Sequence, residues 1–316
     1  MSVLERVTKR GHVACGVSSN LAGLSSVDVN GVWNGLDVEF CTALSVAIFG
    51  DRTHVRFIDV AAAERFKALK SGEIDVLLRG TAWTLTRDTE LDARFAGILF
   101  HDGQGFMVPQ SHSISSVLEL SGASICVLPG SSGQRSVEDY FGHKKMRFQL
   151  VTSDKWDDLV KTYVAGGCTT LTGETSLLAR ERSHFSDASA HVILPEQITK
   201  EPLGPAVADG DDQWFSIVRW TLMALVGAEE LGLRRDNVDA MRSSTMLDVR
   251  RFLGLEADLG APLGLAKDWA YKIVRDVGNY AEIFDRTMGA ASPRKLQRGL
   301  NDSWINGGLM YAAPFR

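Results

Sequence analysis

The chain has 316 residues, 45% of them hydrophobic and 23% charged, with a formal net charge of −5. That length accommodates two domains, each with its own core. No Lys/Arg-rich run supplies the clustered positive face that a polyanion requires, which argues against nucleic acid, and no apolar run approaches the roughly 18–20 residues needed to span a bilayer, so the chain reads as a soluble protein.

The start, Met1-Ser2-Val3-Leu4-Glu5-Arg6, has no apolar core of its own and is not a signal peptide. Either the protein stays in the cytoplasm, or a signal has been removed and Met1-Ser2 stands in its place. Val13-Ala14-Cys15-Gly16-Val17 is a short apolar run closed by a Ser/Asn/Gly-rich stretch, a strand followed by a loop. In residues 36–49, Phe40, Ala43, Leu44, Ala47 and Ile48 share one stripe, which predicts a helix stopped by Gly50-Asp51. A strand over 54–60, a helix over 62–71 ended by Gly72, and the strand Ile74-Asp75-Val76-Leu77-Leu78 follow, then a polar segment over 79–89. That β-α-β-α-β order predicts a parallel sheet with flanking helices.

The pattern then begins again. Ser124-Ile125-Cys126-Val127-Leu128 is a strand, Pro129-Gly130-Ser131-Ser132-Gly133 a turn, and a helical stretch runs through Tyr140. Strands over 148–151, 168–171 and 191–194 and a helix over 156–165 complete a second α/β unit. Extended segments, Gly105-Phe106-Met107-Val108 and Pro202-Leu203-Gly204-Pro205-Ala206-Val207, join it at both ends. Lobe one is therefore expected from 1–106 with 203–316, and lobe two from 107–202. Everything after about 210 reads as helical, and Trp214 and Trp220 lie at helical spacing, which favours core packing over ligand stacking. Two lobes joined by two crossing strands make a hinge, and a hinge over a cleft suggests ligand capture.

Four cysteines, Cys15, Cys41, Cys126 and Cys168, include no Cys-x-x-Cys pair, which argues against zinc and redox motifs. They fall into two neighbourhoods, 26 and 42 residues apart within each. Bridges Cys15–Cys41 and Cys126–Cys168 would each be worth roughly 3.5–4 kcal/mol in the chain-entropy model. Four buried thiols acting as small hydrophobes are the alternative. The seven histidines show no metal-ligand spacing, and no nucleophile elbow, phosphate loop or nucleotide fingerprint occurs, so neither a metal nor a cofactor is expected.

Seven runs, spread over nearly the whole chain, carry a resemblance. They are Gly35-Leu36-Asp37-Val38-Glu39-Phe40-Cys41, Ser71-Gly72-Glu73-Ile74-Asp75-Val76 and Trp83-Thr84-Leu85-Thr86-Arg87-Asp88-Thr89. Asp102 to Val108, Lys200 to Val207, Gly210 to Phe215 and Val277-Gly278-Asn279-Tyr280 complete the set. In this order they resemble the periplasmic amino-acid-binding proteins of ABC importers, in the general L-amino-acid-binding branch. The resemblance implies the two-lobed type II periplasmic-binding-protein fold, an α/β class, with a ligand cleft between the lobes. It also implies a mature periplasmic monomer without its signal, an inner-membrane ABC permease as partner, and no catalysis. An oxidising periplasm favours the two bridges.

A free amino acid presents a carboxylate, an ammonium and a side chain. A buried carboxylate needs a charged fork or several N–H donors. In proteins of this kind the Arg of the polar segment after the third strand, here Arg87, clamps it, helped by Thr81 and Trp83. The other reading of Arg87 is a solvated or ion-paired surface residue. On lobe two, Ser131 and Ser132 open a helix, where exposed N–H groups and the dipole favour an anion. Ser131 could equally be a plain N-cap. The family usually places Asp where this chain has Glu174, as partner of the ammonium, and the extra methylene moves the carboxylate by about 1 Å or more. Leu24, in place of the family's Phe, would line the side-chain pocket. Gly80 stands for Asn, Ala22 for Pro, and Ala82, Gly133 and Gly173 for Thr. Every replacement is smaller, which predicts either repacking or a roomier pocket for a bulky, opine-like amino-acid conjugate.

Two alternatives belong to other classes. Some relatives of this fold are dehydratases, for which Glu174 would be the general acid or base. A ligand sensor docking on a membrane receptor would look the same in sequence.

Overall fold

In the computed structural model, which describes residues 1–316, Val13–Val17 is a strand buried along its whole length. Small and β-branched side chains without polar alternation suit a strand covered on both faces. It runs parallel to Val55–Asp59 on one side and Val76–Leu77 on the other, with Cys15 opposite both Phe57 and Val76. Ala206–Ala208, returning from far along the chain, joins antiparallel beside Val76–Leu77, and Ala93–Phe95 pairs with its outer side.

Helix Leu36–Phe49 lies against this sheet and is buried almost all round, because helices Asp212–Glu230 and Trp269–Asp276 pack on it as well. An apolar stripe alone would not require that; a helix without a polar face does. Gly35 opens it in a conformation reserved for glycine (φ +126°), and a Cβ there would stand 2.2 Å from the Leu24 carbonyl oxygen. Trp214 is core, as expected: its indole N–H donates to the Asp75 carbonyl at 2.8 Å. Trp220 meets Phe315 edge-on, with ring centroids 5.2 Å apart.

The second sheet repeats the plan. Ala123–Val127 lies between Phe148–Thr152 and Thr170–Glu174, parallel to both, and Gln104–Pro109 runs antiparallel between Thr170–Glu174 and His191–Ile193. Alternation along Gln104–Pro109 sends Phe106 and Val108 to one core with Ile125 and Phe141, and Met107 to the other with Cys126, Tyr163 and Leu171.

Two compact units result, Met1–Phe100 with Leu203–Arg316, and His101–Pro202. The chain passes between them in the short strands Phe100–Asp102 and Glu201–Leu203, which pair in a two-stranded sheet. Residues 101–106, assigned from sequence to the first lobe, thus fall in the second. The reason is pairing: Gln104–Pro109 is an inner strand of the second sheet. The helix expected over 62–71 begins only at Arg65, after a turn closed by the Glu64 N–H on the Ala61 carbonyl.

Both expected disulfides are formed, Cys15–Cys41 tying the central strand to helix Leu36–Phe49 (Cα–Cα 6.4 Å) and Cys126–Cys168 (5.9 Å) on the second sheet. Two buried carboxyls also join elements. Asp37 accepts the Gly80 N–H at 3.2 Å. Asp102, 3% exposed, accepts from Gly103 N–H and from both the N–H and hydroxyl of Ser176. Burial outweighs these bonds and pushes each carboxyl up to about 7.

Replacing Cys126 and Cys168 together by alanine should lower stability by roughly 3–4 kcal/mol, read as a fall in urea midpoint. An unchanged midpoint would contradict the bridge. For the carboxyls, the folded values lie above the ordinary 3.8, so folding takes up protons. The charged forms weaken the fold above about pH 7, and that penalty disappears as pH falls toward the unfolded value near about 4. The Asp37→Asn/Asp102→Asn protein should therefore gain less stability than wild type between pH 8 and pH 5, measured by thermal unfolding. Parallel curves would refute the assignment.

Candidate functional site

The predicted site residues divide between the units. In the first unit the chain leaves Val76–Leu77 at the carboxyl edge of the parallel strands, where ligand sites form in α/β folds. Thr81 is 1% exposed, its backbone carbonyl accepts the Gly204 N–H at 3.2 Å, and its hydroxyl has no hydrogen-bond partner. Ala82 is bridged to Leu203, and helix Leu85–Glu90 starts at Thr84, whose hydroxyl caps the Arg87 N–H. The half-buried Arg87 side chain folds back and donates one Nη1 bond to the Ala82 carbonyl at 2.7 Å. No carboxylate lies within ion-pair distance of it. The surface ion pair offered as its alternative role is absent. Trp83 is 36% exposed, its ring stacked on Phe95 with centroids 5.9 Å apart. Leu24 is buried and packs over Gly80.

Sequence reasoning missed two neighbours here, Arg79 and Arg65. Arg79 donates its Nε to the Val60 carbonyl at 2.6 Å. Arg65 has a buried Nε with no partner, and its guanidinium is held below its ordinary value, first by burial and then by the charges of Arg87 and Arg79. The signal was available. Each follows the carboxyl end of a parallel strand, the same criterion that selected Arg87.

In the second unit Ser131 is the N-cap of helix Ser132–His143. Its hydroxyl donates to the Leu128 carbonyl (2.7 Å) and accepts from the Gln134 N–H (3.0 Å). The cap role is therefore filled, and the hydroxyl could donate to an anion only by releasing Leu128. Ser132 is exposed at the first turn, where N–H groups lack intrahelical acceptors. Glu174 ends strand Thr170–Glu174 with its side chain in solvent contact, and its carboxyl is raised by the surrounding protein and then by the negative charge of Glu201. Gln104, opposite Glu174 in the ladder, was also missed. Its amide NH2 donates to the Gly133 carbonyl (3.2 Å) and the Thr172 hydroxyl (2.9 Å), tying the first turn of the helix to the strand that carries Glu174.

Repacking and a roomier pocket can be compared at three of the smaller residues, Gly133, Gly173 and Gly80. A Cβ on Gly133 would meet the Gln104 side-chain oxygen at 2.8 Å, and one on Gly173 would meet the Trp156 ring at 2.8 Å. At Gly80, where φ is +51°, it would touch Leu21 and Leu24 at 3.3 Å. Neighbouring side chains occupy the space beside these three positions.

The α/β fold is shared with known proteins over the full chain. A periplasmic binding protein from Brucella ovis, solved with glutathione bound, matches with a TM-score of 0.84 and 46% identity, covering 100% of both chains. The general L-amino acid-binding periplasmic protein AapJ of Rhizobium johnstonii is 47% identical over 100% of this chain and 93% of its own length. The glutamate/glutamine/aspartate/asparagine-binding protein BztA of Rhodobacter capsulatus is 43% identical, over 100% and 94%. The family model for bacterial extracellular solute-binding proteins, family 3, matches residues 13–237. The chain belongs to that family.

Proposed function

We propose that this protein captures an amino acid or amino-acid derivative for import by an ABC transporter, with Arg87 as the clamp for the ligand carboxylate. The observation that carries this reading is a half-buried guanidinium, tethered to a backbone carbonyl and without a carboxylate partner, in the same segment after Val76–Leu77 as the buried Thr81 hydroxyl, which has no hydrogen-bond partner. A carboxylate ligand satisfies both. Charge-assisted, bidentate pairing is the strong form of that contact. Thr81 and the Trp83 backbone would complete the first half of the grip, with Leu24 behind the side chain.

In the second unit, the first turn at Ser131 and Ser132 supplies N–H donors, and Glu174 faces the ligand's ammonium. The mutual repulsion of Glu174 and Glu201 supports a cation there, since a positive charge relieves it. Affinity for the hinge-closed state then sets the affinity for ligand. The relatives named above support the ligand class: one is named for general L-amino acids, one for acidic amino acids and their amides, and one holds glutathione. They also support a periplasmic location and a permease partner. No helix here is long and apolar enough to cross a membrane, and two disulfides suit an oxidising compartment. We take the working form to be a monomer.

Titration calorimetry with L-glutamate, L-glutamine and glutathione tests the assignment. Arg87→Ala should cost on the order of 2–4 kcal/mol, about 30- to 1,000-fold in Kd, for every ligand that wild type binds. An unchanged Kd would remove Arg87 from the site. Ligand recovered unaltered after long incubation is the expected result; a dehydrated product would instead favour turnover with Glu174 as the acid.

A further inference from the structure

Several arginines elsewhere in the first unit are neutralised by acids. Arg6 and Arg10 share Asp75, Arg52 and Arg286 share Glu39, and Arg298 holds Glu229. Arg65, Arg79 and Arg87 share no such partner, although all three are partly withdrawn from solvent. Their positions follow from the sheet. Arg79 leaves the carboxyl end of Val76–Leu77, while Arg65 follows Val55–Asp59 after a short turn, with Val13–Val17 between these two strands. The Arg79 side chain spans that interval to reach the Val60 carbonyl, so the two strand ends are joined by a positively charged side chain. The Arg65 guanidinium lies 5.3 Å from the ring centroid of its neighbour Phe66.

Bond by bond, the donors outnumber what the protein uses. Arg79 spends Nε and keeps both Nη groups. Arg87 spends one Nη1 bond. Arg65 makes no hydrogen bond, and its buried Nε is unsatisfied. A single ligand carboxylate engages one guanidinium as a fork and leaves the other two repelling each other across a partly desolvated edge. Burial first, and the charges of Arg87 and Arg79 next, already disfavour the charged form of Arg65.

We propose that Arg65 and Arg79 form a second anion seat beside Arg87, so that the ligands bound best carry two carboxylates: an acidic amino acid, or an amino-acid derivative with an added carboxylate. The seat rests on Arg87 being the clamp for the first carboxylate, and the experiment separates the two ideas.

The probes are matched pairs differing by one negative charge, L-glutamate with L-glutamine, and glutathione with its glycyl monoethyl ester, titrated into the full chain. Wild type should prefer the dicarboxylate member by about tenfold or more, the size of one charge-assisted hydrogen bond. That preference should shrink as salt rises. Arg65→Gln should bring the ratio within each pair close to one, while Arg65→Lys retains part of it. Wild type showing no preference in either pair overturns the proposal without any variant. So does an Arg65→Gln protein that folds and keeps the wild-type ratio. Arg87→Ala reads separately: equal loss for both members of a pair supports the clamp, and no loss for either refutes the clamp whatever Arg65 does.

Discussion

A guanidinium taken even partly out of water needs a counter-ion, and removing one partner from a buried pair is costly because the other charge is left behind. Arg87, partly withdrawn from solvent and without an acid of its own, is proposed to be one such half. Its side chain is turned back to a backbone carbonyl, and its charge and that of Arg79 both oppose Arg65. A surface arginine would relax this by extending into solvent, where an ion pair is worth little in any case. Here the Arg87 side chain is tethered to the Ala82 carbonyl and that of Arg79 to the Val60 carbonyl, which holds both charges in place for the carboxylate ligand proposed above.

The scaffold explains how the charge is held. Each unit is a five-stranded sheet in which three parallel strands end at one edge and an antiparallel strand returns beside them. A disulfide fastens the central strand of each parallel set to a neighbouring element. Thr81 and Ala82 are pinned by Gly204 and Leu203, at the end of the strand by which the chain re-enters the first unit. In the second unit Asp102 binds the start of helix Thr175–Ser183, directly after Glu174. The residues proposed for the site in each unit therefore sit next to the segments through which the chain passes between units.

Much of this was legible beforehand, for identifiable reasons. Apolar runs with β-branched residues located the strands of both parallel sets, and the seven ordered motifs pointed to the family that the comparisons establish. Pairing was harder. Nothing local in Gln104–Pro109 says that it belongs to the second sheet, because that depends on partners 60 or more residues later. The pocket was harder still. Gly133 and Gly173 look like lost volume in sequence, yet Gln104 and Trp156 occupy it. Ser131 was readable as a cap, but whether its hydroxyl proton stays free depends on the Leu128 carbonyl. Arg65 and Arg79 meet the same strand-end criterion as Arg87, but that criterion gives no hint that three charges converge without an acid, which the fold brings about.

The most direct measurement is a crystal structure with L-glutamate bound. One carboxylate of the ligand should lie against the Arg87 fork, with N···O distances of about 2.7–2.9 Å, and the other between Arg65 and Arg79. A guanidinium at position 87 swung toward bulk solvent, with the ligand carboxylates held by other groups, would contradict the account.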